Sequence, residues 1–404
     1  MVTTSQWICC QLGAREHYAI PRALHSRGAL EKLMTDLWIP PHHPLGMVNH
    51  RMRERHEAAL PAGLVCSANL RALSFETRSR FQHKEGWPLI LERNKWFQNF
   101  VLDRLRRLPD SHPPRTVFAY SYAAREILRY ARGRGWRTVL GQIDPGPVEE
   151  EIVAAEVERE PWLNSETERA PRQYWQDWRE ECATADHIVV NSAWSSQCVS
   201  EAGVSPEKLH VIPLAFDEPA QPPAPKLYPE RFTSLRPLRV LFLGQVNPRK
   251  GMARLLKAAH ALRNDPIEFT IVGPVQIGIP PEPARNPRIH WIGPISRGRA
   301  RSFYEQADLL ILPTLSDGFA LTQLEAFGYR LPVIASKNCG RVVQHDVNGL
   351  LINGITPHEI ESALRFCLSD PAQLAAFSAQ ATVEKEFSLE KLGERLLSLS
   401  GQPL

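Results

Sequence analysis

Short apolar runs alternate with amphipathic stretches throughout the second half of the chain. The runs are rich in β-branched residues and predict buried strands at 239–243, 269–272, 289–292, 309–312, 333–335 and 350–352. Between the first two runs, apolar residues recur along one stripe of a helix, at Met252, Leu255, Leu256, Ala259 and Leu262. A repeated order of strand, helix and strand predicts a parallel, doubly wound sheet.

The first half of the chain shows the same alternation with more interruptions. Its pattern predicts one helix at 16–27 and another that begins at Ala193. It predicts strands at 7–12, 33–38, 117–120, 138–140, 187–191 and 209–212. The predicted fold class is therefore α/β, with two Rossmann-like, doubly wound domains, one in each half of the chain.

Prolines are concentrated between the two halves, in the segment FDEPAQPPAPKLYPERFTSLRP. Proline cannot donate to a strand ladder or continue a helix, so this segment is expected to be a linker. We therefore predict a first domain at 1–217, a linker at 218–237 and a second domain at 238–387. The last residues, 388–404, predict a terminal helix that could pack back on the first domain.

The composition is typical of a soluble globular protein. Of the 404 residues, 43% are hydrophobic and 23% are charged. The seven cysteines are scattered without a CxxC pair, which favours reduced structural thiols over a metal or redox site. The first residues do not resemble a signal peptide, and no apolar run reaches the roughly 18 residues that a spanning helix needs. We expect a cytoplasmic location.

Positive charge is concentrated in residues 50–108. This segment contains 12 Lys and Arg against 6 Asp and Glu, whereas the formal net charge of the whole chain is only +4. Aromatic residues are interleaved with these charges, at Phe75, Phe81, Trp87, Trp96, Phe97 and Phe100. Such a segment can contact anionic lipid headgroups or hold an acidic acceptor, which suggests peripheral association with the inner face of the membrane. A solvated helical face with buried aromatic residues explains the same composition.

A candidate phosphate site follows the first predicted strand of the second half. That strand leads through FLGQVNPRKG into the helix that begins at Met252. A glycine turn at the carboxyl end of a parallel strand offers free N–H groups and a helix N-terminus to an anion. Lys250 would add a positive charge beside them. The alternative is an ordinary strand-to-helix loop with an exposed basic pair.

Two carboxylates lie eight residues apart in TLSDGFALTQLEAFGYRLPVIAS. Asp317 is predicted in the loop after a strand and Glu325 in the first turns of the following helix, so both can face the same crevice. An ionised carboxylate accepts hydrogen bonds from two hydroxyl groups at once, which suits a sugar ligand. Helix capping is the alternative role for Asp317.

Several segments together resemble family 4 retaining glycosyltransferases of the GT-B fold. The resemblance is carried by ADHIVVNSAWSSQCVSEAGVSPEKLHVIPLAFD, by FLGQVNPRKG and by SDGFALTQLEAFGYRLPVIAS, which is similar to the E-x7-E signature of the family. CGRVVQHDVNGLLI is similar to its closing segment, and QLGAREHYAIPRALHSRG resembles its first glycine-rich loop and helix. These motifs occur in the family's order and touch most of the chain. The resemblance implies that the two Rossmann-like domains face each other across a cleft.

The resemblance implies a role for each matching residue. Glu325 matches the glutamate that binds the ribose hydroxyls, and Asp317 matches the acidic residue that contacts the donor sugar. Lys250 matches the lysine that neutralises the diphosphate. Gly13 and Ala14 stand at the family's paired glycines, close to the diphosphate. The remaining donor-binding residues assigned in this way are Gly244, Gln245, Arg249, Gly273, Gly318, Phe319, Ala320 and Leu321.

The sequence departs from the family pattern at three positions. Gln245 stands where an arginine usually contacts the diphosphate, so one charge is missing unless Arg249 or another residue replaces it. Asp317 is one methylene shorter than the usual glutamate, which lengthens or alters the sugar contact. In VLGQIDPGP, Asp144 stands near the place of a histidine that many members have close to the reacting carbon.

Two residues of the first domain are further candidates for catalysis, beside Lys250 and Asp317. His17 follows Gly13 by four residues and could point across the cleft towards the diphosphate or the acceptor. The alternative for His17 is a surface or capping role. Asp144 precedes Pro145 and Gly146, and Asp-Pro-Gly is also simply typical of a turn.

The implied activity is sugar transfer with retention of configuration, from a nucleotide-diphosphate sugar to a hydroxyl acceptor. Negative charge develops on the leaving diphosphate, where Lys250 and helix-terminal N–H groups stabilise it. The expected context is synthesis of a glycan, a glycolipid or a cell-surface polysaccharide, with no cofactor, no catalytic metal and no nucleic acid. Two alternatives are a sugar-nucleotide epimerase or hydrolase on the same fold, and a degenerate protein that only binds a nucleotide sugar.

Overall fold

The computed structural model describes residues 6–40, 52, 55–110, 115–163, 168–217, 221 and 223–400. The strands of this part of the chain are β1 Trp7–Gln11, β2 Leu30–Thr35, β3 Val65–Ser67, β4 Thr116–Tyr120, β5 Arg137–Gln142, β6 His187–Val190, β7 Leu209–Val211, β8 Leu238–Leu243, β9 Ile267–Val272, β10 Ile289–Gly293, β11 Leu309–Leu312, β12 Val333–Ser336 and β13 Gly349–Ile352. The α-helices are α1 Ala19–Ser26, α2 Asn69–Phe81, α3 Gly86–Leu105, α4 Arg125–Gly133, α5 Pro147–Arg159, α6 Arg172–Thr184, α7 Ala193–Glu201, α8 Met252–Ala261, α9 Pro281–Arg285, α10 Arg297–Gln306, α11 Thr322–Gly328, α12 Pro357–Ser369, α13 Pro371–Gln380 and α14 Leu389–Ser398.

The strands form two parallel sheets, one in each half of the chain. The first has the order β3-β2-β1-β4-β5-β6-β7, and the second has the order β10-β9-β8-β11-β12-β13. In both sheets the strand order reverses beside the first strand, which is the arrangement that opens a crevice at the strand carboxyl ends. The predicted α/β fold with two doubly wound domains is confirmed, and we refer to these as the first and the second domain.

The central strands are buried on both faces because helices cover both sides of each sheet. All five residues of β1 are buried, and so are all four residues of β11 and of β12. Because these strands are covered on both faces, their sequences are continuous apolar runs. A sheet with one face in solvent would show alternating apolar and polar residues instead. The short runs of the second half therefore predicted their strands to within two residues.

The predicted helix at 16–27 is wrong in its first turn. Residues Arg15–Tyr18 form a 3-10 turn, and α1 begins only at Ala19. Glu16, His17 and Tyr18 have φ values of 51°, 51° and 58°, which is the left-handed region that residues with a Cβ rarely occupy. Hydrophobic periodicity cannot reveal such a turn, because tertiary contacts hold it rather than local preference.

The predicted strand at 33–38 is displaced in the structure, where β2 is Leu30–Thr35. The chain leaves the sheet at Asp36, whose Oδ1 accepts a hydrogen bond of 2.9 Å from the backbone N–H of Gly13. The edge strand β3 has no counterpart in the sequence predictions. Its three residues are only half-buried, so the apolar signal is weak.

The segments that flank the second domain make defined contacts. Within the proline-rich segment, Phe232 is buried in the core of the second domain, and Arg236 binds Asp308 through two hydrogen bonds of 2.6 and 2.7 Å. At the end of the chain, α14 packs against α1 of the first domain, with Leu392 and Leu396 in the same apolar cluster as Ala23. Residues 401–404 of the predicted terminal helix lie outside the described part of the chain.

Candidate active site

The two domains meet at the carboxyl ends of their strands. A Cβ built on Gly318, in the loop before α11, would lie 2.6 Å from the carbonyl oxygen of Ile143 in the loop after β5. Ser195 Oγ, in the first turn of α7, donates to the Gly318 carbonyl at 3.2 Å. Next to it, Trp194 Nε1 donates to Ser316 Oγ at 3.0 Å. The loop before α11 is therefore shared between the second domain and the wall of the first.

Glycines at the ends of β8 and β9 allow two loops to approach each other. Gly244 has φ 152° and Gly273 has φ 139°. A Cβ on Gly273 would lie 1.8 Å from the Gly244 carbonyl oxygen, so no larger residue fits there. The predicted loop after β8 then forms a 3-10 turn at Pro248–Lys250, capped by the Asn247 side chain, before α8 begins.

Lys250, Arg249 and Asp317 converge in this crevice. The Lys250 ammonium forms a close ion pair with Asp317 Oδ2, and Arg249 Nη1 lies 3.3 Å from the same oxygen. The other oxygen of Asp317 accepts hydrogen bonds from the backbone N–H groups of Phe319 and Ala320, at 3.1 and 3.0 Å. Burial alone would raise the pKa of Asp317, but Lys250 and Arg249 outweigh it and hold the pKa below its usual range. Asp317 is thus an ionised carboxylate at neutral pH.

Glu325 lies in the first turn of α11, one turn beyond the Asp317 loop. Its Oε2 accepts a hydrogen bond of 2.5 Å from the hydroxyl of Tyr304 on α10. The Tyr304 ring is buried and stacks on Tyr329 with ring centroids 5.4 Å apart. Glu325 itself is only half-buried.

The remaining donor-site candidates lie in the loop after β8 and in the loop before α11. Gln245 is exposed, and its side-chain oxygen accepts from Asn247 Nδ2 at 3.3 Å. Arg249 instead points into the interface and is the cation that accompanies Lys250 there. Ala320 has φ 63°, while Phe319 is buried and Leu321 precedes the first turn of α11.

The first-domain candidates lie on loops after β1 and β5. Gly13, with φ 85°, follows β1, and Asp36 links it to Arg55 Nη1, 3.2 Å from Asp36 Oδ1. His17 lies in the left-handed turn after Ala14, and its backbone N–H donates to the Ala14 carbonyl at 3.3 Å.

Asp144 closes the turn after β5 and lines the space between the domains. Its Oδ1 accepts from the backbone N–H of Gly146 at 2.9 Å, which is turn chemistry, and from the Tyr122 hydroxyl at 2.5 Å. Gln142 Nε2 donates to the same oxygen at 3.2 Å. Asp144 also lines a cavity of about 1180 Å³ between the domains, which Arg249 lines from the opposite side.

Glu149, which the sequence analysis did not single out, lies beside these residues. It is in the first turn of α5, and its Oε1 lies 3.8 Å from Arg249 Nε. Burial raises the pKa of Glu149 to about 8; Arg249 opposes this shift, while Asp144 and Asp317 add to it. An acidic residue just after an Asp-Pro-Gly turn was the available signal, but that pattern is also an ordinary helix start.

The sequence of the second domain matches a known family. Residues 237–370 match the family described as Glycosyl transferases group 1. The second domain is a group 1 glycosyl transferase domain. A D-inositol 3-phosphate glycosyltransferase of Rhodococcus opacus is 29% identical over 235 residues, which are 53% of each chain. The chain spans about half the length of the curated relatives it matches.

Solved structures share the fold along nearly the whole chain. Anabaena HepE in complex with UDP-glucose has a TM-score of 0.59 at 15% identity, over 98% of this chain and 100% of that chain. Sucrose-phosphate synthase from Thermosynechococcus elongatus has a TM-score of 0.61 at 17% identity, over 98% of both chains. The predicted GT-B arrangement and the predicted resemblance to glycosyltransferases are confirmed, with the group 1 glycosyl transferase domain as the later half.

Two features are absent from the described residues, a metal-binding cluster and a helix that could span a membrane. No group of three or more His, Cys, Asp or Glu side chains within them has an arrangement that could hold a metal ion. No helix within the same residues has both the length and the hydrophobicity to cross a bilayer.

Proposed function

We propose that the protein is a retaining glycosyltransferase that moves a sugar from a nucleotide-diphosphate sugar to an acceptor hydroxyl. The observation that carries the proposal is the cluster of Lys250, Arg249 and Asp317, which lies in the group 1 glycosyl transferase domain beside the start of α11. Two cations at a glycine turn and a helix start suit a diphosphate. Glu325, one turn further, suits the ribose hydroxyls.

The donor is proposed to be a UDP- or GDP-type sugar. The support comes from HepE, whose structures are described as complexes with UDP, with UDP and glucose, and with UDP-glucose. In this chain, the loops after β8 and β9 contact each other through Gly244 and Gly273, so their backbone can approach a nucleotide closely. Gly244, Gly273 and the backbone from Gly318 to Leu321 are the proposed donor contacts.

Binding of the donor exchanges partners within the cation cluster. The diphosphate oxygens take the place of Asp317 as the anion beside Lys250 and Arg249. Asp317 is then released to accept hydrogen bonds from the donor sugar, while its other oxygen keeps the N–H groups of Phe319 and Ala320. Arg249 supplies the charge that Gln245 does not.

Transfer breaks the bond between the anomeric carbon and the phosphate oxygen. Positive charge develops on the sugar and negative charge on the diphosphate, which Lys250 and Arg249 stabilise without forming a covalent bond. The acceptor oxygen attacks from the side of the departing phosphate, and its proton passes to that phosphate. Asp144 and His17 of the first domain are proposed to face the acceptor side.

A second proposal concerns the surface formed by α2 and α3. Leu70 and Phe81, at the two ends of α2, are 83% and 80% exposed. Arg78 and Arg80 on the same helix are exposed and form no ion pair with the described residues. Exposed apolar and basic side chains on one helix support contact with an anionic lipid surface, and with it a glycan or glycolipid acceptor at the inner face of the membrane.

A donor screen tests the proposed activity. Wild-type protein and Glu325→Ala are incubated with UDP- and GDP-sugars, and thermal stabilisation and release of nucleotide are measured with and without acceptor hydroxyl compounds. We expect stabilisation by one nucleotide class, acceptor-dependent release and loss of both in Glu325→Ala. Free sugar or an epimer formed equally without acceptor would favour the hydrolase or epimerase alternative. Binding with no turnover for any acceptor would favour a protein that only binds the nucleotide sugar.

A further inference from the structure

The cavity of about 1180 Å³ between the domains has an unusual balance of charge. Its described lining contains six acidic side chains, from Asp144, Glu149, Glu150, Glu151, Glu158 and Glu168, and Glu149 is the one whose pKa burial raises to about 8. It contains two guanidinium groups, from Arg169 and Arg249, and no lysine. The negative charge comes from α5 and the segments around it in the first domain, on the side of the cleft that faces the donor cluster.

Both guanidinium groups already have carboxylate partners. Arg169 binds Glu151 through two hydrogen bonds, of 2.7 and 3.0 Å. Arg249 is shared between Asp317 and Glu149. Neither arginine is therefore available to neutralise the other carboxylates of the cavity.

Four of these acidic side chains, those of Asp144, Glu150, Glu158 and Glu168, have no ion-pair partner among the described residues. Asp144 accepts hydrogen bonds only from neutral groups, Tyr122, Gln142 and the Gly146 N–H. Glu150 also accepts from neutral groups, the backbone N–H of Ala170 and Trp175 Nε1, at 2.5 and 2.9 Å. Glu168 is exposed at the rim. Neutral donors orient a carboxylate but leave its charge in place.

Aromatic side chains form a second wall of the same cavity. Tyr174 stacks on Tyr122 with ring centroids 4.6 Å apart, and Trp87 contacts Tyr174 edge to face at 4.8 Å. The N–H of Trp87 donates to the Glu168 carbonyl, that of Trp175 to Glu150, and the Tyr122 hydroxyl to Asp144. With these polar groups engaged by the protein, the rings offer mainly carbon surface to a ligand. Aromatic carbon surface packs on sugar rings and attracts cations.

A third observation comes from Glu149. Its Oε2 atom is buried and has no hydrogen-bond partner among the described residues, although the side chain lines the cavity. Burial raises the pKa of Glu149 to about 8, so at neutral pH its carboxyl holds a proton and is a neutral group. A ligand that carries a hydroxyl or amine group would give the buried oxygen a hydrogen-bond partner.

We propose that this cavity binds the acceptor, and that the acceptor carries a protonated amine beside its hydroxyls, as an amino sugar or an aminocyclitol does. The inference rests on the proposed glycosyltransferase function and specifies its acceptor. The carboxylates attract the ammonium group, and the aromatic wall packs on the ring. Arg249 at the cavity edge belongs, with Lys250 and Asp317, to the cluster that is proposed to hold the donor. A phosphorylated polyol would instead bring a second anion to an already negative wall, which like-charge repulsion disfavours.

Three ligands that share one ring test the charge preference. D-Glucosamine, D-glucose and D-glucose 6-phosphate are titrated into the full-length protein with UDP at saturation, so that the diphosphate site is closed to the phosphate group. Binding is followed by ligand-observed NMR. We expect glucosamine to bind at least tenfold more tightly than glucose, and glucose 6-phosphate to bind more weakly than glucose.

Two variants connect the preference to the cavity. Asp144→Asn retains the shape of the side chain, and Glu168→Gln changes an exposed position that does not endanger folding. Each should reduce the preference for glucosamine over glucose at least threefold. Glu207→Gln, an exposed carboxylate of the same domain outside the cavity, is the matched control and should retain the full preference.

The outcomes separate this inference from the function it rests on. Equal binding of glucosamine and glucose, or tighter binding of glucose 6-phosphate, would overturn the proposed acceptor class even if UDP binds well. A preference for glucosamine that survives in both cavity variants would also overturn it, because the charge would then lie elsewhere. If UDP and UDP-sugars fail to bind while the preference for glucosamine follows the variants, the glycosyltransferase proposal fails and the amine site remains.

Discussion

Gly318 of the second domain and the carbonyl of Ile143 in the first domain meet backbone to backbone. A Cβ on Gly318 would lie 2.6 Å from the Ile143 oxygen and 3.6 Å from Asp144 Cα. The loop that precedes α11 and holds Asp317 is thus positioned by the opposite domain as well as by its own. Any side chain at position 318 pushes the two walls of the cleft apart.

The first prediction follows from this contact. Gly318→Ala should lower kcat/KM by about a hundredfold, because an ångström-scale displacement of the reacting groups has effects of that order. The clash is with backbone, so the domains must separate rather than repack. Steady-state kinetics measures the loss, and the melting temperature checks that the protein remains folded.

Gly298→Ala is the matched control for that experiment. A Cβ at Gly298, in α10, would contact nothing within 4 Å. It should leave kcat/KM unchanged. Wild-type kinetics in Gly318→Ala would mean that the observed domain contact is not needed for turnover.

The second prediction concerns Lys250. The negative charge on the diphosphate beside Lys250 increases as the diphosphate leaves. Lys250→Ala should therefore lower kcat by about a hundred- to a thousandfold and weaken donor binding much less. Asp317 also loses its closest cation, so the melting temperature should fall as well. Lys391→Ala, an exposed lysine paired with Glu394 on α14, is the control. An equal loss of affinity for donor and for product nucleotide, with kcat intact, would contradict the assigned role.

The third prediction separates Glu325 from the tyrosine that orients it. Glu325→Ala should weaken nucleotide binding by about ten- to a hundredfold, the range expected for a lost hydrogen bond to a charged group. Tyr304→Phe removes the hydroxyl 2.5 Å from Glu325 Oε2 and should weaken binding only a fewfold. Isothermal titration with UDP and GDP measures both. Tyr329→Phe, whose ring stacks on Tyr304, controls for changes in ring packing. Unaltered affinity in Glu325→Ala would remove this residue from the donor site.

The fold was largely predictable from sequence because buried parallel strands leave a strong local signal. The runs that became β8 to β13 are apolar and bounded by turns, and their helices are amphipathic. The motifs also identified Lys250, Asp317 and Glu325 through the resemblance. Neither source revealed that Asp317 pairs with both Lys250 and Arg249, since a contact between residues so far apart in sequence depends on how β8 and β11 lie side by side.

Other features were out of reach for a physical reason. The left-handed turn at Glu16, His17 and Tyr18 opposes local preference and is held by tertiary contacts, such as the hydrogen bond of 3.0 Å from the Tyr120 hydroxyl to Glu16. The pKa of Glu149 is raised by burial in the folded protein, beside Arg249, so no local sequence pattern indicates it. Arg51 and Arg53 of the basic segment lie outside the described residues. The proposed lipid contact therefore concerns α2.

The fourth prediction tests the proposed lipid contact of α2. A triple variant, Arg78→Gln, Arg80→Gln and Phe81→Ser, removes two charges and one exposed ring, which should reduce co-sedimentation with phosphatidylserine vesicles at least tenfold at 0.1 M salt. Arg263→Gln combined with Arg299→Gln removes two exposed charges from the second domain and is the control. Binding that is unaffected by the triple variant, or absent in the wild type, would favour the solvated helical face.

The fifth prediction concerns the effect of pH on stability through Glu149. Its pKa rises from an ordinary value of 4.5 to about 8 in the folded protein, because of burial and in spite of Arg249. Between these two values the folded carboxyl holds a proton that the unfolded chain has released. Its contribution to stability is therefore full below about pH 4.5 and is lost as the pH rises towards 8.

Glu149→Gln cannot titrate, so its stability should decline less over this window. The melting temperature of the variant minus that of the wild type should increase by at least about 3 °C between pH 5 and pH 9. Burial also raises the pKa values of Glu16 and Glu181 to about 7, but both residues are present in the two proteins and their effects cancel in the difference. Parallel melting curves across the whole range would show that Glu149 is ionised in the folded protein at neutral pH, with Arg249 dominating over burial.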